Sequence, residues 1–126
     1  MKFKDVLIQS EWPKINHDLR AIVSFVDLYV KRNYDIDIVV TCLMRSQAQQ
    51  DFIYKDDPNY KTKPWHSVHQ YGRGADIRTS NLDDIIIDEI MDLLLLLPYG
   101  DGKHKTALLH EVGDNGKHIH IQVKQE

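Results

Sequence analysis

A chain of 126 residues that is 42% hydrophobic and 28% charged is long enough for one domain with one core, too apolar to stay disordered, and too short for two full domains. Its 19 acidic and 16 basic residues leave a formal charge of −3, so there is no general basic excess to hold nucleic-acid phosphates or an anionic membrane. Cys42, the single cysteine, excludes an internal disulfide and a thiolate cluster within the chain, so a metal site is expected to use histidine and carboxylate.

In chain order, Met1 to Ser10 offers only a short apolar stretch broken by Asp5. No secretory signal is expected, and synthesis in the cytoplasm is. Pro13 suits a first helical turn, and Ile15, Leu19, Ile22, Val26 and Val30 recur at helical spacing to about Lys31, which predicts an amphipathic helix with Lys14, Asp18 and Asp27 on its polar side. After the break at residues 33–35, the β-branched run from Ile36 to Leu43 predicts a buried strand. Ser46 to Tyr54 reads as a short helix capped by Ser46. From Lys55 to Trp65 the polar chain with Pro58 and Pro64 reads as a loop.

Gly72 to Arg78 is expected to pass from a tight turn into a strand. Ser80 with Asp83 reads as a capping box that opens a helix to about Leu97, with Ile86, Ile90, Leu93 and Leu97 inward. The run Leu93 to Leu97 is far below the roughly 20 residues that span a bilayer and stops at Pro98, so it reads as a buried helix end and no membrane insertion is expected. The remainder predicts a hairpin, with strands over 106–112 and 117–123 around a turn at 113–116. The sum is an α+β domain, a small antiparallel sheet flanked by helices, filling residues 1–126.

Four of the seven histidines fall in two tight pairs, His66 with His69 and His118 with His120. On a strand, residues two apart share a face, so His118 and His120 would present both imidazoles together while Ile119, Ile121 and Val123 face the core. Gly72 and Gly74 let the chain turn sharply between His69 and Asp76, so that these two can converge. Histidine, aspartate and a third histidine make the three-ligand set, with one position open, of catalytic zinc. A solvated polar strand face and a turn-capping Asp76 are the plainer readings of the same residues.

The segment Ser67, His69, Gly72, Asp76 resembles the S-x-H-x-x-G-x-A-x-D motif of the zinc D-alanyl-D-alanine carboxypeptidases, dipeptidases and L-alanyl-D-glutamate endopeptidases. These share a fold with lysostaphin-type enzymes and the hedgehog signalling domain. Gly74 stands where alanine is usual, and His118 and His120 match the family's terminal H-x-H. Upstream, Arg45, Ser46 and Gln50 resemble its R-S-x-x-x-Q segment. The motifs run from Arg45 to His120, leaving the first helix unmatched.

The resemblance implies that His69, Asp76 and His120 bind one zinc per chain, with His118 beside the metal. It implies that Arg45 polarises or anchors the substrate, its planar fork suiting a carboxylate or a carbonyl oxygen, and that Ser67 and Gln50 support the site or the substrate. Relatives carry an acidic base three residues before the last ligand, where this chain has Lys117, or a histidine five before it, where it has Asn115. His118 is therefore assigned as base, with Glu111 or Asp114 as the alternative. His110 reads either as a hydrogen-bond partner of a ligand or as a core residue. His66 reads as a substitute ligand or, lying just outside the motif, as an exposed loop residue; His17 and His104 read as exposed, and Tyr60, Trp65 and Tyr71 as lining a cleft or packing the loop.

The implied activity is a zinc peptidase that cuts an amide in bacterial peptidoglycan stem peptides, as a phage-type lysin that reaches the wall by lysis or in a virion. A cytoplasmic D-alanyl-D-alanine dipeptidase and a non-catalytic, hedgehog-like zinc module are the alternatives. A metal-dependent nuclease is disfavoured by the acidic balance.

Overall fold

The structure, a computed structural model, describes residues 1–111 and 116–125. Strand β1 (Lys2–Phe3) leads into helix α1 (Val6–Glu11), whose free N–H of Ile8 is taken up by the Asp5 carboxylate, and a 3-10 turn (Trp12–Lys14) follows. Helix α2 (His17–Tyr34) opens where Asn16 accepts from the N–H of Asp18 and Leu19 and closes where Asp35 turns left-handed at φ 54°. Next come β2 (Val39–Cys42), α3 (Gln47–Ile53), α4 (Pro58–Thr62), a 3-10 turn (Val68–Tyr71) and β3 (Gly74–Arg78). Helix α5 (Asp84–Leu95) and the hairpin strands β4 (Ala107–Glu111) and β5 (Lys117–Gln122) complete the chain.

The five strands form one sheet in the order β1-β2-β3-β5-β4. The fold is α+β, as expected, but the sheet is not wholly antiparallel, because β1 pairs with β2 in parallel. One face of the sheet is apolar. Val40, Ala75, Ile77, Ile119 and Ile121 point into a core closed by Leu19, Val23, Val26 and Val30 of α2 and by Ile86, Ile90 and Leu94 of α5, all buried. Each such aliphatic side chain contributes roughly 1.5–3 kcal/mol by leaving water. The period of two then sends Asp76, His118 and His120 to the other face.

Several boundaries differ from the sequence reading. The first long helix starts at His17 rather than near Pro13, and α1 precedes it unpredicted. The expected loop over 55–65 contains α4, started by Pro58 after the Asp57 cap. Asp83, not Ser80, caps α5 by accepting from the N–H of Ile86. The leucine run is not a buried end, since five successive residues occupy every direction around a helix and only one row can face the sheet. That row is Ile86, Ile90, Leu94, while Leu95, Leu96 and Leu97 are exposed. Among the described residues, no helix is long and apolar enough to cross a membrane. The turn expected at 113–116 lies outside the described residues except for Gly116.

Candidate metal centre

The polar face of the sheet gathers its chemistry on Asp76, near the middle of strand β3. Cross-strand register sets His120 of β5 opposite Asp76, His118 opposite Arg78, and His110 of β4 opposite His118. His69 arrives from the 3-10 turn, which Ser67 caps by accepting the N–H of His69 at 3.2 Å, with Gln70 closing the box in return. Gly72 ends that turn at φ 67°, a conformation that favours glycine, and returns the chain to β3.

Two imidazoles meet one carboxylate oxygen. Asp76 Oδ1 lies 3.2 Å from His69 Nε2 and 2.8 Å from His120 Nδ1, and all three residues are buried. Two atoms bound to a tetrahedral zinc at about 2.0–2.1 Å stand about 3.3 Å apart, so these separations suit ligands of one ion. Two sets of donors have ligand atoms within 4.8 Å of one another: Cys42 with His69 and Asp76, and Asp76 with His110 and His120. Asp76 belongs to both sets, and the expected trio His69, Asp76 and His120 spans them.

The surroundings fix which nitrogen of each ring faces the carboxylate. His69 Nδ1 lies 3.2 Å from the carbonyl oxygen of Leu43, which accepts its proton and leaves Nε2 for a metal. Gln122 donates its amide to the carbonyl of Lys105 at 2.7 Å and so turns its oxygen to His120 Nε2 at 3.2 Å. This assigns the proton of neutral His120 to Nε2 and the lone pair to Nδ1, on the Asp76 side. Such outer hydrogen bonds orient metal-binding imidazoles. His110 Nε2 and His118 Nε2 are buried with no hydrogen-bond partner among the described residues, an arrangement that polar atoms seldom hold without a further partner. A borderline-soft ion such as zinc fits this set of nitrogen, oxygen and sulfur donors.

Electrostatics reinforce the cluster. Burial works against ionisation of Asp76, yet the charge of His69 and the hydrogen bond from His120 hold its carboxyl well below the usual carboxylate range. Burial likewise opposes protonation of His69, and Asp76 outweighs it, so its pKa is raised. His110 is lowered, by burial first and then by His118 and His120.

The cluster opens into a cleft of about 740 Å³ that reaches Cys42, Asp76 and His118. Arg45 stands on its wall, donating to the oxygen of the fully buried Gln50 at 2.9 Å and approaching Cys42 Sγ at 3.7 Å. Gln50 also donates to the Trp65 carbonyl at 3.3 Å, so it positions Arg45 rather than lining the cleft. His118 Nε2 lies 3.5 Å from Asp76 Oδ2. His66, His17 and His104 are exposed. Tyr60 is buried against Tyr54 and Trp65, and neither Tyr60, Trp65 nor Tyr71 lines the cleft. Asp114, Asn115 and the side chain of Glu111 lie outside the described residues.

Two neighbours of the site, Cys42 and Gln122, escape the sequence reading, and a third, His110, is read there only as a hydrogen-bond partner of a ligand or a core residue. Cys42 should share the core face of Val40, two residues before it. A register shift between them instead sets Cys42 opposite Asp76 and Val40 opposite Ile77, the effect of one extra residue in a strand. The expectation of a site limited to histidine and carboxylate is thus too narrow, since Cys42 joins His69 and Asp76 in one of the two candidate donor sets. His110 shares the site face because Glu111 pairs with Lys117. The predicted strand ends would pair Val112 with Lys117 and turn His110 away. Gln122, one more step along the H-x-H face, could have been found by its period of two.

No family model, curated protein or solved structure matches this chain, so the family resemblance stands on its motif residues.

Proposed function

We propose that the chain is a zinc-dependent peptidase that hydrolyses an amide bond in the stem peptides of bacterial peptidoglycan, as a phage-type lysin. The observation that carries this reading is the convergence of His69 Nε2 and His120 Nδ1 on Asp76 Oδ1, the oxygen of a carboxylate that lines a cleft. His69, Asp76 and His120 hold the ion, which when bound supplies Lewis acidity and a water acidic enough to react near neutral pH. Arg45, steadied by Gln50, orients the scissile carbonyl and balances negative charge on its oxygen. His118 has its Nε2 beside the carboxylate and free of any hydrogen bond among the described residues, where an imidazole can take a proton and return it to the leaving amine.

One observation favours a second reading. Lys117 occupies the position of the family's acidic base and is exposed, which suits a zinc module without turnover. A zymogram on purified cell wall separates the two. Clearing that stops with chelator and returns with zinc is expected. Zinc binding without clearing, or release of alanine from free D-alanyl-D-alanine alone, would overturn the lysin reading.

A further inference from the structure

The described residues gather more metal donors around Asp76 than one ion needs. A catalytic zinc takes three protein ligands and keeps one position open, and His69, Asp76 and His120 supply the three. Cys42 and His110 are left over. Cys42, which stands opposite Asp76 in the β2–β3 register, groups with His69 and Asp76, while His110 groups with Asp76 and His120, each group with its ligand atoms within 4.8 Å of one another. The two groups share one residue, Asp76, and a carboxylate has two oxygens. Its Oδ1 meets the rings of His69 and His120, and its Oδ2 stands 3.5 Å from His118 Nε2. His110 supplies an independent observation. Its Nε2 is buried with no hydrogen-bond partner among the described residues, its ring centre lies 5.3 Å from that of His120, and hydrolysis by the three-ligand centre gives it no task.

We propose that this centre takes a second divalent cation, with the Asp76 carboxylate bridging the two, Cys42 and His69 holding one ion and His110 and His120 the other. The first ion binds across both groups through His69, Asp76 and His120. Arrival of the second divides the groups, and Cys42 then takes the place of His120 on the His69 side. Two-metal sites commonly hold their ions about 3.5–4 Å apart, and divalent charges that close repel strongly. The second ion therefore binds more weakly than the first, and a chain purified without added metal carries one. Imidazole and thiolate donors favour a borderline-soft ion such as zinc or cobalt over magnesium or calcium, which take oxygen ligands.

The test is a cobalt titration of the full chain, stripped of metal by a chelator, followed by calorimetry and by absorption. Wild type should take two equivalents, the second about tenfold or more weaker, equivalent to about 1.4 kcal/mol, and thiolate-to-cobalt charge transfer should grow in with the second step. His110→Ala, with its melting temperature checked, should take one equivalent. Cys42→Ser should lose the charge-transfer band and weaken the second step, whereas His104→Ala, at an exposed histidine away from the centre, should keep both steps. Saturation of wild type at one equivalent would overturn the proposal. So would a second equivalent that survives unchanged in His110→Ala or Cys42→Ser, or that vanishes in His104→Ala, since the ion would then sit elsewhere on the surface. Wild-type stoichiometry and Cys42→Ser decide the matter even where His110→Ala does not fold. Two ions in a chain that hydrolyses no peptide would sink the peptidase reading alone, and hydrolysis by a chain that never takes more than one ion would sink this proposal alone.

Discussion

Gly74 shows how closely the site is packed at the level of single atoms. A Cβ there would stand 2.7 Å from a methyl of Val68 and 3.2 Å from both the His69 and the His120 rings. The alanine usual at this position in the resembling family would therefore push the imidazoles apart. Gly74→Ala is expected to weaken zinc affinity roughly 10- to 100-fold, the range for changes that misorient ligands, measured by competition with a chromogenic chelator. The final histidines should separate in their effects. His120→Ala is expected to lose metal and activity together, while His118→Ala keeps near-normal zinc and loses most turnover, as judged by metal analysis beside peptide hydrolysis. A loaded His120→Ala with an empty His118→Ala would reverse the two roles. The residues of the site that spacing could disclose were those fixed by local geometry, namely Ser67, His69 and Asp76 around one turn and His118 with His120 on one strand. Cys42 and His110 depend on a strand irregularity and a hairpin register, which arise from pairing between distant segments and leave no local pattern.

At the scale of elements, the sequence carried existence and type better than ends. Helix α2 and strands β3 and β5 follow their hydrophobic periods, because each buries one face against the same core. The inward row of α5 departs from the expected one at its end, where Leu94 rather than Leu93 and Leu97 is buried, since a run of five leucines has no period to follow. Leu94→Ala is expected to cost about 2–5 kcal/mol, the range for buried leucines, whereas Leu96→Ala, at 78% exposure, should stay within about 0.5 kcal/mol. Urea unfolding measures both, and equal losses would mean that the helix faces the sheet differently. A second contact between elements gives a pH dependence. Glu89 of α5 accepts hydrogen bonds from Tyr29 and Tyr34 of α2, and these hold its carboxyl below the usual range, with Tyr34 the larger cause. A carboxyl depressed on folding stabilises above its unfolded pKa and loses that contribution as pH falls through the folded value. Wild type should therefore exceed Glu89→Gln in stability near neutral pH, and the gap should narrow as pH falls past the ordinary glutamate pKa and close below the depressed folded value. A gap independent of pH would show that the ionised carboxylate is not the source.

For the whole molecule, one sheet divides two kinds of chemistry. The aliphatic residues of β2, β3 and β5 close the core under α2 and α5, and alternate residues of β3 and β5 carry the carboxylate and imidazoles to the opposite face, where Asp76 and His118 line the cleft. Net charge, read from composition, describes neither side, because it averages an acidic exterior with a basic cleft. The buried ionisable groups on Asp76 are costly to desolvate, and a metal ion that binds only the folded chain offsets that cost by mass action. The most direct measurement is the zinc content of purified wild type and of Asp76→Asn, which keeps the size of the side chain and removes its charge. About one zinc per wild-type chain and almost none in a folded Asp76→Asn is the predicted result, since among the described residues Asp76 alone joins both donor sets. Zinc retained in full by Asp76→Asn would contradict an Asp76-centred metal site.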